Sequence, residues 1–366
     1  MRALRLRHQG LVPGAPRWRR PGEAVDGMLA MQAQDPNAIL WAIATRCAGN
    51  PDATTVAGAF EAVEVVRNRP SRGTLQVTTA EDMAWLSEHL TPRSTAAAAR
   101  RRGQLGLDDQ VVETARGVVV AALAEGRVRT RRELVDELTR AGVELDGMQA
   151  GHVLRHLTEH MVIVFDGVPG PVDSFRSGDT LASLREPRAR EESLAEVALR
   201  YFSARGPATP GCLGWWANLT MRDARGAIEA AGGALEEVEL AGESFVVPTG
   251  SVDMGDAEVD SVLAEPLLLA AFDEYLLAYR SRDATLRPEW APRVVPGRNG
   301  MFKPVVVVDG EVVGTWSRRV SKQRVEVVVE PFAGLSAGAV DGLARRAEQY
   351  GDFLGLAADL SVVPAD

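Results

Sequence analysis

The sequence predicts an α+β protein in which a helical unit ending in a two-stranded ribbon is repeated three times ahead of a β-rich, barrel-like C-terminal domain. Three observations carry this. Segments with apolar residues at helical spacing come in threes, and each trio is followed by short strand-like runs. Several helix starts carry Thr or Asp as a cap, in places with an acidic residue three positions on. Beyond about residue 255 the helical spacing gives way to valine-rich runs. The expected units are residues 1–92, 93–180, 181–254 and 255–366, with linkers near 92–108 and 178–190.

The first copy is the most degenerate. A helix ends near Met31, a second runs from Asn37 to Cys47 and a third from Thr54 to Val66. Thr74 to Val77 is a short strand, and Thr79 caps a connecting helix, AEDMAWLSEHL. In the middle copy, Asp109 to Ala124 forms a helix that Gly126 ends. Thr130 then opens RRELVDELTRAG, with Glu133 in the capping-box position, and Asp146 opens GMQAGHVLRHLTEHM. The runs Met161–Phe165 and Val172–Phe175, joined through Asp166-Gly167, complete the order of a winged helix, whose third helix is the groove-reading element. The third copy repeats it. A helix covers Leu194 to Ser203, a second begins near Thr209 and Pro210, Thr220 caps a third, and Leu235–Leu240 pairs with Ser244–Val247 through Ala241-Gly242. In the last unit Arg293–Val295, Lys303–Val308, Val312–Trp316 and Arg324–Val329 are strand-like. Asp309-Gly310 is a hairpin turn, and a helix from Val340 to Leu354 closes the domain.

Composition excludes several classes. The 366 residues, 46% hydrophobic and 25% charged, describe an ordinary globular protein with room for two to four domains. Two distant cysteines, Cys47 and Cys212, supply neither a disulfide framework nor a thiolate zinc site. The first residues lack the apolar core of a signal peptide, and no run reaches the length of a membrane span, so the expectation is a cytoplasmic protein without a membrane partner. No phosphate-binding loop or dinucleotide fingerprint appears, and no cofactor is expected. The net charge of -9 argues against nucleic acid as a partner. Its distribution argues the other way, because residues 1–50 carry seven arginines against three acids, which leaves -13 for the remainder. Of 41 basic residues only Lys303 and Lys322 are lysine.

Four patterns could carry chemistry. In Met31-Gln32-Ala33-Gln34-Asp35-Pro36, Asp35 fits an N-cap and Pro36 the first helical position, which leaves Gln32 and Gln34 in extended chain. Residues two apart there point the same way, so the two amides could converge on a water or a nucleotide. Spacing alone also fits two surface amides ahead of a helix. Arginine clusters occur at Arg17, Arg19 and Arg20; at Arg100–Arg102; at Arg127, Arg129, Arg131 and Arg132; and at Arg318, Arg319, Lys322 and Arg324. The cluster entering the helix-turn-helix, Arg127 to Arg132, is the strongest candidate for phosphate contact, against a solvated face as the alternative. Pro296-Gly297-Arg298-Asn299-Gly300 reads as a hairpin tip whose Arg298 and Asn299 could probe a groove, or as a plain turn. His152, His156 and His160 lie at helical spacing but lack a carboxylate or cysteine, so packing or nucleic-acid contact is expected before metal. Trp215-Trp216 reads as core plus surface, and Asp273 and Tyr275 as structural.

The segments MLAMQAQDPNAILWAIATR, RGTLQVTTAEDMAWL, GPATPGCLGWWANLT, LLLAAFDEYLLAYRSR and FKPVVVVDGEVVGTW span roughly residues 1 to 330. Together they resemble the bacterial winged-helix family that contains the AlkZ-type DNA glycosylases, some of which protect antibiotic producers from their own DNA-alkylating products. The Gln–aliphatic–Gln motif, here Gln32-Ala33-Gln34, is the family's catalytic signature; a related branch has Asp at the second position. The resemblance implies three winged helices in a C-shaped array with a small barrel. It also implies that the hairpin near Arg298 helps engage the lesion.

It further implies a monofunctional DNA glycosylase acting as a monomer on double-stranded DNA that carries N7-alkylated purines, bulky natural-product adducts or interstrand crosslinks. Such a base is already cationic and leaves without a proton from the enzyme, so the demand is for a positioned water and modest electrostatics. Gln34 is then the water-positioning residue, and Gln32 grips the nucleotide or shares that water. A lyase step needs an amine nucleophile, and only Lys303, Lys322 and the N-terminus offer one, which favours hydrolysis. The rival class is a non-catalytic winged-helix regulator or adduct-sequestering protein, which has no need to aim both glutamines into a cavity.

Overall fold

A computed structural model describes residues 1–12, 15, 18–182, 184, 188–240, 242–298 and 300–365, without the side chains of residues 182 and 298. Helices and strands are mixed along the chain, and the helical trios precede the main sheet as the sequence predicts.

In the first unit the trio is Pro21–Met28, Pro36–Ala44 and Ala53–Glu61. Asp35 and Asp52 accept hydrogen bonds from the backbone N–H groups of the two later helices, each such cap stabilising by about 1 kcal/mol. Three short strands form an antiparallel sheet: β1 (Met31–Gln32), β2 (Val65–Asn68) and β3 (Gln76–Thr79), in the order β1-β3-β2. The first and third helices stop earlier than expected. Leu29 and Val63 turn into the left-handed region at φ 59° each, and β-branched Val65 and Val66 enter a buried strand instead of prolonging a helix. An additional helix, Arg2–His8, buries Ala3, Leu4 and Leu6. Thr79 caps Ala80–Leu90 as expected. The expected linker near 92–108 is instead largely the helix Pro92–Gln104, where four alanines and four arginines are strong helix formers.

The second unit contains Asp109–Ala122, Arg131–Arg140 and Gly147–Glu159. Both predicted starts hold: Thr130 forms a reciprocal box with Glu133, and Asp146 forms one with Gln149. A three-stranded sheet of Arg129–Thr130, Ser174–Ser177 and Ile163–Phe165 follows the same plan as the first. The third unit has Arg190–Arg205, Pro210–Ala217 and Met221–Ala230, then the hairpin Leu235–Leu240 with Glu243–Pro248.

The C-terminal sheet has five strands, paired as Ala357–Val362, Arg324–Pro331, Glu311–Val320, Val305–Val308 and Leu267–Leu269. This pairing is open, with two edges, where barrel-like closure is expected. The final strand runs parallel to Arg324–Pro331 after the helix Ala337–Leu354, a crossover that period-2 patterning does not reveal. Arg293–Val295, expected as strand, falls at the end of the short helix Ala291–Val294, with Pro292 inside its first turn. The segment after it is therefore a 3-10 turn, Pro296–Arg298, and not a tip between two strands; the Arg298 side chain and Asn299 lie outside the described residues.

One hydrophobic core unites the first unit with the C-terminal sheet. The Trp41 ring meets Tyr350 at 5.0 Å and Phe353 at 5.2 Å, and its N–H donates to the carbonyl of Leu268 at 2.8 Å. The second unit has its own core, the third unit shares one with Leu29, Ala30, Trp85, Leu86 and Leu90 of the first, and a small cluster joins Val66 and Met83 of the first unit to Val164 of the second. Gly73, at φ +66° in the β2–β3 turn, brings the first unit against the second. An added Cβ there would lie 2.0 Å from Arg155 Nη2 and 2.7 Å from Glu159 Oε1, so those side-chain ends would have to move, and the positive φ itself favours glycine.

Candidate active site

The two glutamines sit on the edge of the first unit's sheet. Gln32 on β1 is opposite Gln76 on β3, which is opposite Asn68 on β2, so three amides share one row and one face. Met31 and Val77 alternate to the other face, in the core. The backbone N–H of Ala33 extends the ladder to the carbonyl of Leu75 at 2.9 Å. Gln32 lies in the strand as expected, whereas Gln34 falls in the bend that leads into the next helix and not in extended chain; the two amides nevertheless meet. The Gln34 Nε2 amide donates to Gln32 Oε1 at 2.8 Å.

That bond leaves Gln32 Nε2 as a buried donor and Gln34 Oε1 as a buried acceptor, both without partners in the described protein. A buried polar atom left unsatisfied costs roughly 1–3 kcal/mol, and a group that accepts from one amide and donates to the other would satisfy both. Further unpartnered buried polar atoms gather along the same sheet and its turn: Asn68 Oδ1, Arg69 Nε, Ser71 Oγ and Arg72 Nη1. Asp35 is committed to capping, accepting from Asn37 and Ala38, and is not directed to the pair.

The residue that fixes β1 is Glu274, which no sequence motif marks. Its Oε1 accepts from the backbone N–H of Gln32 at 3.0 Å, and its Oε2 accepts from Arg205 Nε at 3.0 Å and Trp216 Nε1 at 3.1 Å. Arg205 also donates to the carbonyls of Met28 and Ala30. Next to it Asp273 forms a buried ion pair with Arg46 at 2.8 Å, and the Tyr275 hydroxyl donates to the carbonyl of Gly310 at 2.7 Å. Charged residues inside the apolar run LLLAAFDEYLLAY were the available signal, because buried charges must be paired. Trp216 is buried and Trp215 half-buried, as expected.

The basic surface begins beside this sheet. An open cavity of about 470 Å³ is lined by Arg72, Arg93, Arg101, Arg155, His152 and Asn218, with no carboxylate among its lining residues. A second cleft gathers Arg69, Arg131 and Arg155 around Asp173. Burial, with Arg155 next, lowers the Arg69 guanidinium to about 10. Of the predicted cluster, only Arg131 reaches this cleft. Arg127 meets Glu125 at 3.7 Å, Arg129 donates to the carbonyl of Val128, and Arg132 is exposed. In the last cluster Arg319 and Arg324 are answered by Glu326 and Asp359, which is the solvated-face alternative. Arg17 lies outside the described residues. Arg69 and Arg72 fall outside every predicted cluster; three arginines around a Pro-Ser turn, RNRPSRG, were the signal for them.

The histidine ladder splits. His156 and His160 rings lie 4.3 Å apart, and Arg102 Nη1 is 3.1 Å from His156 Nδ1. Among the described residues no group of three His, Cys, Asp or Glu side chains is placed to hold a metal. Burial, then His160 and Arg102, lowers His156 to about 4 from 6.5. Between those values the unfolded chain binds a proton that the folded chain refuses. Stability from this site is therefore complete above about pH 6.5 and falls as pH drops towards 4. We expect His156→Gln to flatten the slope of denaturant-derived stability against pH in that window. A slope identical to the parent's would remove His156 as its cause.

A family model described as DNA glycosylase AlkZ-like matches residues 25–353. The chain is 27% identical over 331 residues to the interstrand DNA cross-link repair glycosylase of Streptomyces sahachiroi, covering 85% of this chain and 84% of that protein. The solved structure of Streptomyces sahachiroi DNA glycosylase AlkZ superposes with a TM-score of 0.76, at 24% identity, over 99% of this chain and 98% of that one. The superposition speaks for the fold. Among the described residues no helix is long and apolar enough to cross a membrane.

Proposed function

The chain belongs to the AlkZ-like DNA glycosylase family, and from that membership we propose that it hydrolyses the N-glycosidic bond of N7-alkylated purines in double-stranded DNA. Bulky natural-product adducts and interstrand crosslinks fall within this substrate class. The relative named for cross-link repair supports including the latter. The work would serve antibiotic self-resistance or base excision repair, with the protein acting as a cytoplasmic monomer. The three trios with their ribbons are read as winged helices set in a C around the duplex, with the basic cavity at their junction facing it.

One observation carries the reading: Gln34 donates to Gln32, and the pair keeps one buried donor and one buried acceptor unfilled. A water bridging those atoms accepts from Gln32 Nε2 and donates to Gln34 Oε1. Its remaining lone pair is then free to attack C1′ on the face opposite the departing base. A neutral amide cannot take up a proton as a carboxylate does, so it orients the water without activating it strongly. The cationic N7-alkylpurine leaves as a neutral base and relieves its own charge. The sugar passes through an oxocarbenium-like state, water adds to C1′, and the water's proton passes to solvent. Gln32 and Gln34 thus suit destabilised nucleosides and leave intact ones alone.

The test is base release from duplexes carrying N7-methylguanine, a bulky N7 adduct, or an N7 crosslink, with an unmodified duplex as control. Free alkylated base and an intact abasic strand are expected, with no covalent protein–DNA product after borohydride reduction. Absence of release from all three damaged duplexes would overturn the enzymatic assignment of substrate. A borohydride-trapped adduct would instead overturn simple hydrolysis. The regulator reading has no use for an unfilled amide pair held in place by a buried carboxylate.

A further inference from the structure

Three segments far apart in sequence meet at the ring of Trp215. Its neighbour Trp216 turns inward to Glu274, which leaves the Trp215 ring half-buried at the surface of the third unit. The Arg72 guanidinium carbon lies 4.0 Å from the ring centroid, and that of Arg282 lies 5.6 Å from it. Arg282 also covers Phe302 at 4.9 Å, and its Nε donates to the carbonyl of Leu276. Arg72 comes from the turn after β2, and Arg282 follows the segment that holds Glu274.

The two guanidiniums are half-buried and differ from three arginines of this region that are held by carboxylates. Arg46, Arg200 and Arg205 each meet a carboxylate within 3 Å. Among the described residues neither Arg72 nor Arg282 forms a salt bridge, and Arg72 Nη1 is buried without a partner. Burial lowers the pKa of both; for Arg282 the charge of Arg72 adds to this, whereas for Arg72 the carboxylate of Glu274 acts against it. Arg72 is moreover held at φ +58°, a left-handed conformation that costs a bulky residue strain and persists where the surroundings enforce it. Two like charges converging on one aromatic ring, with a donor left open, form an electrostatically incomplete site. A planar fork on each side suits the oxygens of a phosphodiester.

We propose that Arg72 and Arg282, propped on Trp215, cradle a backbone phosphate next to the lesion nucleotide. The location follows from the mounting. Trp216 and the backbone of Gln32 are tied to the same carboxylate, so the cradle and the glutamine pair are fixed to one point. Arg72 also lines the basic cavity, which makes the cradle the inner end of a phosphate track. The inference rests on the reading that the substrate is DNA, but it does not need the base-release chemistry.

The experiment measures binding to a duplex with a non-hydrolysable abasic analogue, with either natural phosphates or a single uncharged methylphosphonate beside the lesion. For the wild-type protein, one flanking methylphosphonate is expected to weaken binding about tenfold, the scale of one charge-assisted hydrogen-bonded pair. Arg72→Ala and Arg282→Ala are expected to weaken binding to the natural duplex similarly. Each should also reduce the slope of log affinity against log salt by about 0.9 for each phosphate that is no longer neutralised. The double variant should be indifferent to the methylphosphonate. Wild-type affinity in both single variants, or a methylphosphonate penalty retained in full by the double variant, overturns the cradle. If Arg72→Ala fails to fold, Arg282→Ala alone carries the same comparison, because its side chain sits outside the strained turn. The duplex has no base to release. Failure of the cradle is therefore distinguishable from failure of the glycosylase reading, which the base-release assay decides.

Discussion

Gln34→Ala is expected to lower the single-turnover rate of base release from N7-methylguanine DNA by about 10²–10³-fold, the usual scale for removing one preorganised transition-state interaction. Affinity for the abasic-analogue duplex should be unchanged. On the proposed mechanism the substitution removes the unpartnered acceptor that would orient the water, and it sits at a half-buried position outside the hydrophobic core. Gln32→Ala is expected to cost less in rate and more in KM, because the same amide supplies the donor Nε2 that a nucleotide or the shared water would use. The two losses should not add in the double variant, since either single change breaks the Gln34-to-Gln32 bond that aligns both groups. Wild-type rates in both single variants would remove the pair from the chemistry. Equal loss of binding and rate would make it a docking contact and not a water-positioning device.

Why this pair was visible in the sequence, while its support was not, follows from the kinds of signal involved. Gln32 and Gln34 are two apart and followed at once by a cap and a proline, so local rules bring the two amides close and fix the helix start, although the bend into that helix already includes Gln34. The capped helices of the second unit were legible for the same reason: Thr130 with Glu133 and Asp146 with Gln149 are local pairs. The misjudged elements depend on distant partners. β2 is a strand because β3 pairs with it, and its valines carry no alternation that separates them from the helix before. The last strand joins the sheet in parallel only after the closing helix has crossed it. Arg293 to Val295 looked extended from Val-Val alone, but Pro292 and the bond from Lys303 N–H to the Val294 carbonyl hold a helical turn. The net charge misled in the same way. It sums surface acids with arginines that the fold collects from the β2–β3 turn, the helix Pro92–Gln104 and the helix Gly147–Glu159 into one cavity.

The second large effect is expected at Glu274. Glu274→Ala removes the acceptor of three donors and leaves the Arg205 guanidinium, fully buried, without its counter-charge. Breaking a buried pair from one side typically costs about 3–5 kcal/mol, so a clear fall in Tm and in the denaturation midpoint is expected. That loss alone would not separate a positioning role from a structural one. Replacing the pair together, with Glu274→Met and Arg205→Met, removes both charges and restores apolar packing, and such exchanges are often neutral for stability. The double variant should therefore recover most of the Tm. It should not recover base release, because the backbone N–H of Gln32 still lacks the carboxylate that fixes β1 and with it the direction of the amide pair. Glu274→Gln provides the milder form. It keeps an acceptor for Gln32, so its rate should exceed that of the double variant even though its unmatched Arg205 leaves it less stable. If rate and stability instead rise and fall together across the three variants, Glu274 holds the fold and nothing more. If they separate in the order given, its carboxylate determines where the two amides point.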